Sequence, residues 1–320
     1  MKNILSSIKK LKPVHWLYNL LHYRGLLHNK QAYKKSNLNK PLFASVSSKD
    51  FPDKNSRAWL DVGNSKELAL HHPAFSTFSA QLQEKIKNWS DNGFILLEGF
   101  FADNIVSSIN EEIDRIIENN FIKPTHDNKL PFANRISSVI KNITCTPELI
   151  NILNFILGKE VVPFQTLNFV KGSNQRAHSD SIHMTTYPLG YLIAVWIALE
   201  DTNESNGPLF YYRGSHKLPY LLNNDFNETS TTLKLGRKDY TDYEDVIEEI
   251  IQKNHLEKEV FLAKKGDVFI WHANLIHGGS PIIDHSLTRK SMVIHYYAKD
   301  VIKYHEISER PSLMEIYTNS

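Results

Sequence analysis

Apolar and polar positions change their rhythm near residue 160. Beyond it they run in short blocks: V-V-P-F-Q-T-L-N-F-V, G-Y-L-I-A-V-W-I-A-L, P-L-F-Y-Y, E-V-F-L-A, G-D-V-F-I-W and S-M-V-I-H-Y-Y. Each has the length and the β-branched and aromatic content of a strand. N-G-P, K-K-G-D and G-G-S-P separate several of them as turns. Before residue 160 helical spacing dominates. It predicts helices in F-S-A-Q-L-Q-E-K-I-K-N-W, in D-N-I-V-S-S-I-N-E-E-I-D-R-I-I-E-N-N with Asp103 as N-cap, and in T-P-E-L-I-N-I-L-N-F-I-L-G. The last has Pro147 in its first turn and Gly158 as its stop. Between the first two, N-G-F-I-L-L-E-G-F reads as one short buried strand. Helices first and many short strands afterwards imply an α+β fold, an antiparallel double-sheet barrel wrapped by N-terminal helices.

These patterns divide the chain into a basic extension and linker (1–75, the linker at 46–75), a main domain (76–305) and a tail (306–320). The β core falls at about 160–298 and is interrupted by an insertion at about 222–256, which carries an acidic helix around Y-E-D-V-I-E-E-I-I and is placed to act as a lid. Residues 1–49 contain no Asp or Glu, while Lys2, Lys9, Lys10, Lys12, Arg24, Lys30, Lys34, Lys35 and Lys40 give them a positive bias. V-H-W-L-Y-N-L-L-H-Y-R-G-L-L sets Leu and aromatic residues at roughly helical spacing. Two readings follow: a helix docking its apolar stripe on the main domain with lysines in water, or attachment to an anionic surface, either a membrane face or an acidic partner.

Composition narrows the class. With 41% hydrophobic and 22% charged residues, 320 residues suffice for one large soluble domain. A net charge of +2 argues against nucleic acid as a partner of the whole chain. The single cysteine, Cys145, excludes an internal disulfide framework and is expected as a small core residue. No apolar run reaches membrane-spanning length, so a cytoplasmic protein is expected, peripheral to the inner membrane face if the basic arm engages it. Nothing in the chain specifies an oligomeric state.

The candidate chemistry lies in four residues. His178 and Asp180 occur as H-S-D, His277 in W-H-A-N-L-I-H-G-G-S-P, and Arg289 twelve residues later in L-T-R-K-S-M-V-I-H-Y-Y. Two histidines and one carboxylate form the ligand set of a non-haem Fe(II) centre with open coordination positions. If H-S-D is extended, His178 and Asp180 share a face and Ser179 lies opposite. Three facial ligands leave room for a chelating 2-oxo acid and dioxygen. A guanidinium aimed into a barrel is costly without a partner, and the far carboxylate of 2-oxoglutarate would supply one. Ser280 or Thr288 could add a hydroxyl contact. The rival readings are a cupin-like barrel holding zinc and a non-catalytic cupin-like binding protein.

The chain resembles the phytanoyl-CoA dioxygenase family of Fe(II)/2-oxoglutarate oxygenases from N-W-S-D-N-G-F-I-L-L-E-G-F-F to V-I-H-Y-Y. The densest match is A-H-S-D-S-I-H-M-T-T-Y-P-L-G through N-G-P-L-F-Y-Y-R-G-S-H-K-L-P, closing with G-D-V-F-I-W-H-A-N-L-I-H-G-G-S-P. The resemblance implies a double-stranded β-helix (jelly-roll, cupin-like) core. It carries over iron ligation by His178, Asp180 and His277, and 2-oxoglutarate binding by Arg289 with Trp196 nearby. Gln165 and Arg135 are further candidates for co-substrate contact. Where the family often has Ser two residues after the distal histidine, this chain has Gly279 and then Ser280. Related halogenases replace the carboxylate with a small residue, so Asp180 points to hydroxylation, with desaturation or ring formation as alternatives. The substrate side is expected to include His183, Thr185, Tyr187, Tyr211, Arg213 and Asn274, with His216 a structural turn residue. The family implies O2 and a substrate among acyl-CoA lipids, amino-acid-derived solutes and specialised metabolites, without choosing one. The basic N-terminal arm points to a lipid-linked or anionic glycan-linked substrate at a membrane face, with a soluble small molecule as the alternative.

Overall fold

The computed structural model describes residues 10–51, 53, 57–125, 129–226 and 229–315. Among them, twelve strands pair antiparallel in three sheets. The large sheet runs β1 (Phe94–Leu97), β8 (Val268–His272), β5 (Leu192–Ala198), β10 (Ser291–Ala298), β3 (Val161–Phe169) and β2 (Lys129–Pro131). A small sheet, β7 (Glu259–Phe261), β6 (Leu209–Tyr211) and β9 (His277–Gly279), faces it. A third consists of β12 (Arg310–Pro311), β11 (Ile302–His305) and β4 (Thr185–Tyr187). The α+β, cupin-like jelly roll expected from the sequence is the fold observed.

Strand parity explains why the central strands are apolar on both faces, with His272, Ser291 and His295 as polar exceptions. Ile193, Val195 and Ile197 of β5, Met292, Ile294 and Tyr296 of β10, and Val268 and Ile270 of β8 pack outward against the helices. Their alternates Ala194, Trp196, Val293, Phe269 and Trp271 point into the barrel. Both faces of the sheet are covered, so neither needs polar residues.

Ten helices of the described residues wrap this frame: α1 (Lys12–Leu21), α2 (Asn29–Lys35), α3 (Ser65–His71), α4 (Ala80–Lys87), α5 (Trp89–Asn92), α6 (Asp103–Glu118), α7 (Ser138–Thr144), α8 (Pro147–Leu157), α9 (Asn223–Phe226) and α10 (Tyr240–Lys253). In α6, Val106, Ile109, Ile113 and Ile116 are buried at helical spacing. α8 begins with Pro147 and ends at Gly158, whose φ of 62° is the left-handed conformation that glycine tolerates.

Four expectations are corrected. Ala102, not Asp103, occupies the N-cap of α6; Asp103 is its first helical residue and pairs with Lys265. Cys145 is exposed, because it caps the C-terminus of α7 rather than facing its packed side. The segment 46–75 is not a free linker: it forms helical turns and buries Val46, Phe51, Leu60 and Phe75. Finally, α1 does not dock its apolar stripe. Its inward face is polar: Lys12 pairs with buried Glu309 at 2.6 Å, and the Asn19 amide donates to the Phe43 carbonyl. Leu17, Leu20 and Leu21 face outward. Lys2 and Lys9 of the basic arm lie outside the described residues.

Candidate active site

His277 lies on β9, and His178 reaches it through a two-way backbone bridge, each N–H donating to the other's carbonyl at 2.9 Å. This bridge brings together residues far apart in sequence. H-S-D is not a strand, since Asp180 opens a 3-10 turn. Ser179 is nevertheless extended (φ −114°, ψ 147°), so His178 and Asp180 still project together. Ser179 points away, its hydroxyl bonding Ser181 and Tyr243.

The ligand atoms of His178, Asp180 and His277 lie within 4.8 Å of one another, and all three residues are buried. The imidazoles are oriented alike. His178 Nδ1 sits 2.9 Å from the Arg176 carbonyl and His277 Nδ1 2.9 Å from that of Leu275. A proton held on Nδ1 leaves each Nε2 with a lone pair for a metal, that of His178 accepting from the Gln175 amide at 3.1 Å. Both Nε2 atoms are 3.8 Å from Asp180 Oδ1. The other carboxylate oxygen, Oδ2, accepts from Trp271 Nε1 at 2.8 Å and lies 3.4 Å from His295 Nε2.

Burial, then the neighbouring His277, lowers the His178 pKa to about 3; burial likewise lowers that of His277. Burial alone would raise Asp180, but the imidazoles of His277 and His295 outweigh it and hold the carboxyl well below its usual range. Two neutral imidazoles and one carboxylate are the donor set that a divalent cation requires.

Arg289 stands nearby, 2% exposed and in no ion pair with any described residue. Its guanidinium donates to the hydroxyls of Ser291 (3.1 Å) and Ser173 (3.5 Å), while Nε has no partner. Trp196 Nε1 is likewise unpartnered and buried; its ring lies 5.9 Å from the guanidinium. Burial lowers the Arg289 pKa to about 10. Two orphaned donors beside an uncompensated buried charge fit a carboxylate.

Ser280 does not line this cavity; its backbone pairs with Pro208. Thr288 is turned to Glu200. A Cβ at Gly279 would collide with Ser173 Oγ, so the hydroxyl expected near residue 279 is supplied from the opposite chain segment.

The cavity holding these groups has a volume of about 1190 Å³. Gln165 lines it and contacts His295 Nδ1 at 3.3 Å. Arg135 lies at its outer rim, over Phe132 and 4.0 Å from Glu315. Lys129 is the basic residue nearer Arg289: it sits 5.5 Å over Phe169, the ring that Arg289 also covers at 5.8 Å.

Of the substrate-side candidates only His183 lines the cavity, its ring tilted against Tyr240 with centroids 4.4 Å apart. Thr185 is turned to the Ser181 carbonyl, and Tyr187 stacks on Phe51. Tyr211 and Arg213 both bond Glu259. Asn274 clamps the carbonyls of His216 and Leu218, and His216 sits in a buried turn. Thr185 and Tyr187 lie on β4, where that bond and that ring contact engage their side chains elsewhere. Tyr211 on β6 faces inward but is packed against Phe94 and Phe269, and Arg213 and Asn274 lie beyond strand ends.

Sequence reasoning missed Ser291, His295, Trp271, Ser173 and Lys129. Counting by twos from Arg289 would have found Ser291, Val293 and His295, because β10 keeps one parity inward.

Fold and donor set together define a mononuclear non-haem iron oxygenase. The phytanoyl-CoA dioxygenase (PhyH) profile matches residues 89–290. The chain therefore belongs to the phytanoyl-CoA dioxygenase family of Fe(II)/2-oxoglutarate oxygenases. Phytanoyl-CoA dioxygenase domain-containing protein 1 of Danio rerio is 24% identical over 62% of this chain and 67% of its own length. Peroxisomal phytanoyl-CoA dioxygenase of Bos taurus is 22% identical over 66% and 68%. Among solved structures, the α-ketoglutarate-dependent carbocyclase SnoK of nogalamycin biosynthesis superposes with a TM-score of 0.60 at 14% identity, covering 76% of this chain and 96% of SnoK. EctD of S. alaskensis with bound Fe gives 0.53 at 20% identity, covering 69% and 77%.

Proposed function

We propose that this chain is a hydroxylase that places one oxygen atom of O2 into a C–H bond of a small-molecule, lipid-linked or glycan-linked substrate. The observation that carries this reading is the buried His178–Asp180–His277 set sharing one cavity with Arg289, a guanidinium lacking a carboxylate. In this reading the triad holds Fe(II), and Arg289 grips the far carboxylate of 2-oxoglutarate with the Ser173 and Ser291 hydroxyls beside it. Fe(II) with 2-oxoglutarate supplies dioxygen activation, the balanced reaction being R–H + 2-oxoglutarate + O2 → R–OH + succinate + CO2.

The protein's own contribution is orientation and exclusion of water. The Arg176 and Leu275 carbonyls keep the two imidazoles in one tautomer. Trp271 holds Asp180 Oδ2, turning Oδ1 toward the histidines. Phe169 and Trp196 wall the guanidinium off from solvent, which strengthens its attraction for a carboxylate. The cavity exceeds the roughly 300–1,000 Å³ of ordinary ligand pockets, so a sizeable substrate fits beside the co-substrate. His183 is neutral, its pKa lowered to about 3 by burial and then by His305, and offers substrate a hydrogen bond rather than a charge.

Anaerobic titration with Fe(II) and 2-oxoglutarate tests the centre. A metal-to-ligand charge-transfer band is expected in the native protein, absent in His178→Ala. No band from folded protein would return the chain to the binding-barrel reading. Turnover under oxygen-18 gas then tests hydroxylation: label in the product supports it, whereas an unlabelled product two hydrogens lighter means desaturation or ring closure.

A further inference from the structure

We infer that the outward face of α1 is a docking surface for an anionic phospholipid leaflet, set so that the cavity opens at headgroup level. α1 is an inverted amphipathic helix. Pro13, Val14, Leu17, Tyr18, Leu20 and Leu21 are all exposed, with Leu17 at 61% and Leu21 at 74%. The helix is held instead by polar groups. Lys12 pairs with Glu309, Asn19 bonds the Phe43 carbonyl, and Trp16 Nε1 donates to Ser45 at 2.9 Å. An ion pair and two hydrogen bonds inside, with leucines outside, is the reverse of a helix that packs on a domain. The apolar face continues through exposed Tyr23 and Leu27. An apolar face of this kind marks an interaction site.

Charge selects the occupant. Residues 1–49 carry ten basic and no acidic side chains, whereas the rest of the chain carries 27 basic against 35 acidic. Arg24, Lys30 and Lys34, which follow α1, are exposed. A second copy docking by the same face would bring two such basic arms together, since a two-fold interface pairs a patch with itself. An anionic bilayer satisfies both features at once, taking leucines into its acyl boundary and lysines at its headgroups.

Position adds the functional link. Tyr18 and Leu21 of this face, Arg24 and Arg310 line the cavity that contains His178 and Arg289. The Arg310 guanidinium lies 4.9 Å over the ring of Tyr18, so a cation stands directly beside this apolar face where it meets the cavity. The inference favours the lipid-linked branch of the proposed function, but vesicle binding needs neither iron nor 2-oxoglutarate and so stands or falls separately.

The test is sedimentation of the full chain with vesicles of phosphatidylcholine alone and of phosphatidylcholine mixed with phosphatidylglycerol. Leu17→Asp/Leu20→Asp is run alongside, its folding checked by circular dichroism; neither residue lines the cavity. Native protein should bind the mixed vesicles at least about tenfold more tightly than the neutral ones, weakening with salt, because each basic residue near the surface contributes roughly fivefold. The folded double variant should lose at least about tenfold. Equal binding by the two proteins, or no binding of native protein to mixed vesicles, would overturn the inference. So would a native dimer in light scattering that the double variant turns into a monomer, which would assign the face to a second copy.

Discussion

Replacing Arg289 by methionine should make the ligand-free protein more stable and nearly abolish its hold on 2-oxoglutarate. The two effects have one cause. The guanidinium is 2% exposed, bonds only two hydroxyls and has an orphaned Nε. Lowering its pKa from near 12.5 to about 10 corresponds to about 3 kcal/mol of unfavourable charge burial in the folded state. The sign follows from proton linkage. The folded group gives up its proton more readily than the unfolded one, so the penalty is complete at neutral pH and fades only as pH rises through about 10. Methionine fills similar volume without charge, so about 1–3 kcal/mol should be recovered after some packing loss. That is a rise of a few degrees in midpoint temperature. With Fe(II) and 2-oxoglutarate under anaerobic conditions the order should reverse. Losing one partner of a buried charge pair costs about 2–5 kcal/mol, or roughly 30-fold to several thousand-fold in affinity. The assay is thermal unfolding of both proteins with and without co-substrate, since a ligand raises stability in proportion to the logarithm of its saturation. An Arg289→Met protein less stable than native without ligand, yet raised as much by 2-oxoglutarate, would refute the reasoning.

Three further outcomes are expected. Trp271→Phe keeps the ring but removes the 2.8 Å donor to Asp180 Oδ2, so chelator competition should show metal affinity lower by about 10–100-fold with secondary structure unchanged. Gly279→Ser should weaken 2-oxoglutarate binding by about tenfold because its Cβ meets Ser173 Oγ, and Ser173→Gly added to it should restore most of the loss; additive losses in co-substrate titration would contradict the exchange of hydroxyls. Burial raises the Glu306 pKa to about 7 against the opposing hydrogen bonds from Ser48 and Asn223. The folded state therefore retains a proton that the unfolded state releases near 4.5, and this carboxyl lowers stability as pH rises from about 4.5 to about 7, by at most about 3 kcal/mol. Denaturant unfolding at about pH 5 and about pH 8 should show Glu306→Gln gaining on native protein at the higher pH; a constant difference would refute it.

The short apolar blocks that form β3, β5, β8 and β10 are a local property, and they were legible in the sequence together with the fold class they imply. The order His178, Asp180, His277 and Arg289 was legible too, because two histidines, a carboxylate and an inward arginine leave few alternative chemistries. What converts that order into a site is the bridge between His178 and His277, a pairing across a long stretch of intervening chain. Only tertiary structure could decide the surroundings. Ser173 crosses from another segment to take the space at Gly279, and Trp271 meets Asp180 across the barrel. Tyr187, Tyr211, Arg213 and Asn274 are kept out of the cavity by partners distant in sequence: Phe51 for Tyr187, Glu259 for Tyr211 and Arg213, and the His216 and Leu218 carbonyls for Asn274. α1 makes the same point. Its composition suggested a packed apolar stripe, but which face turns inward was decided by Glu309 and the Phe43 carbonyl, partners that lie elsewhere in the chain. Periodicity is written in neighbouring residues, whereas the face a side chain presents to a site depends on groups that only folding brings near.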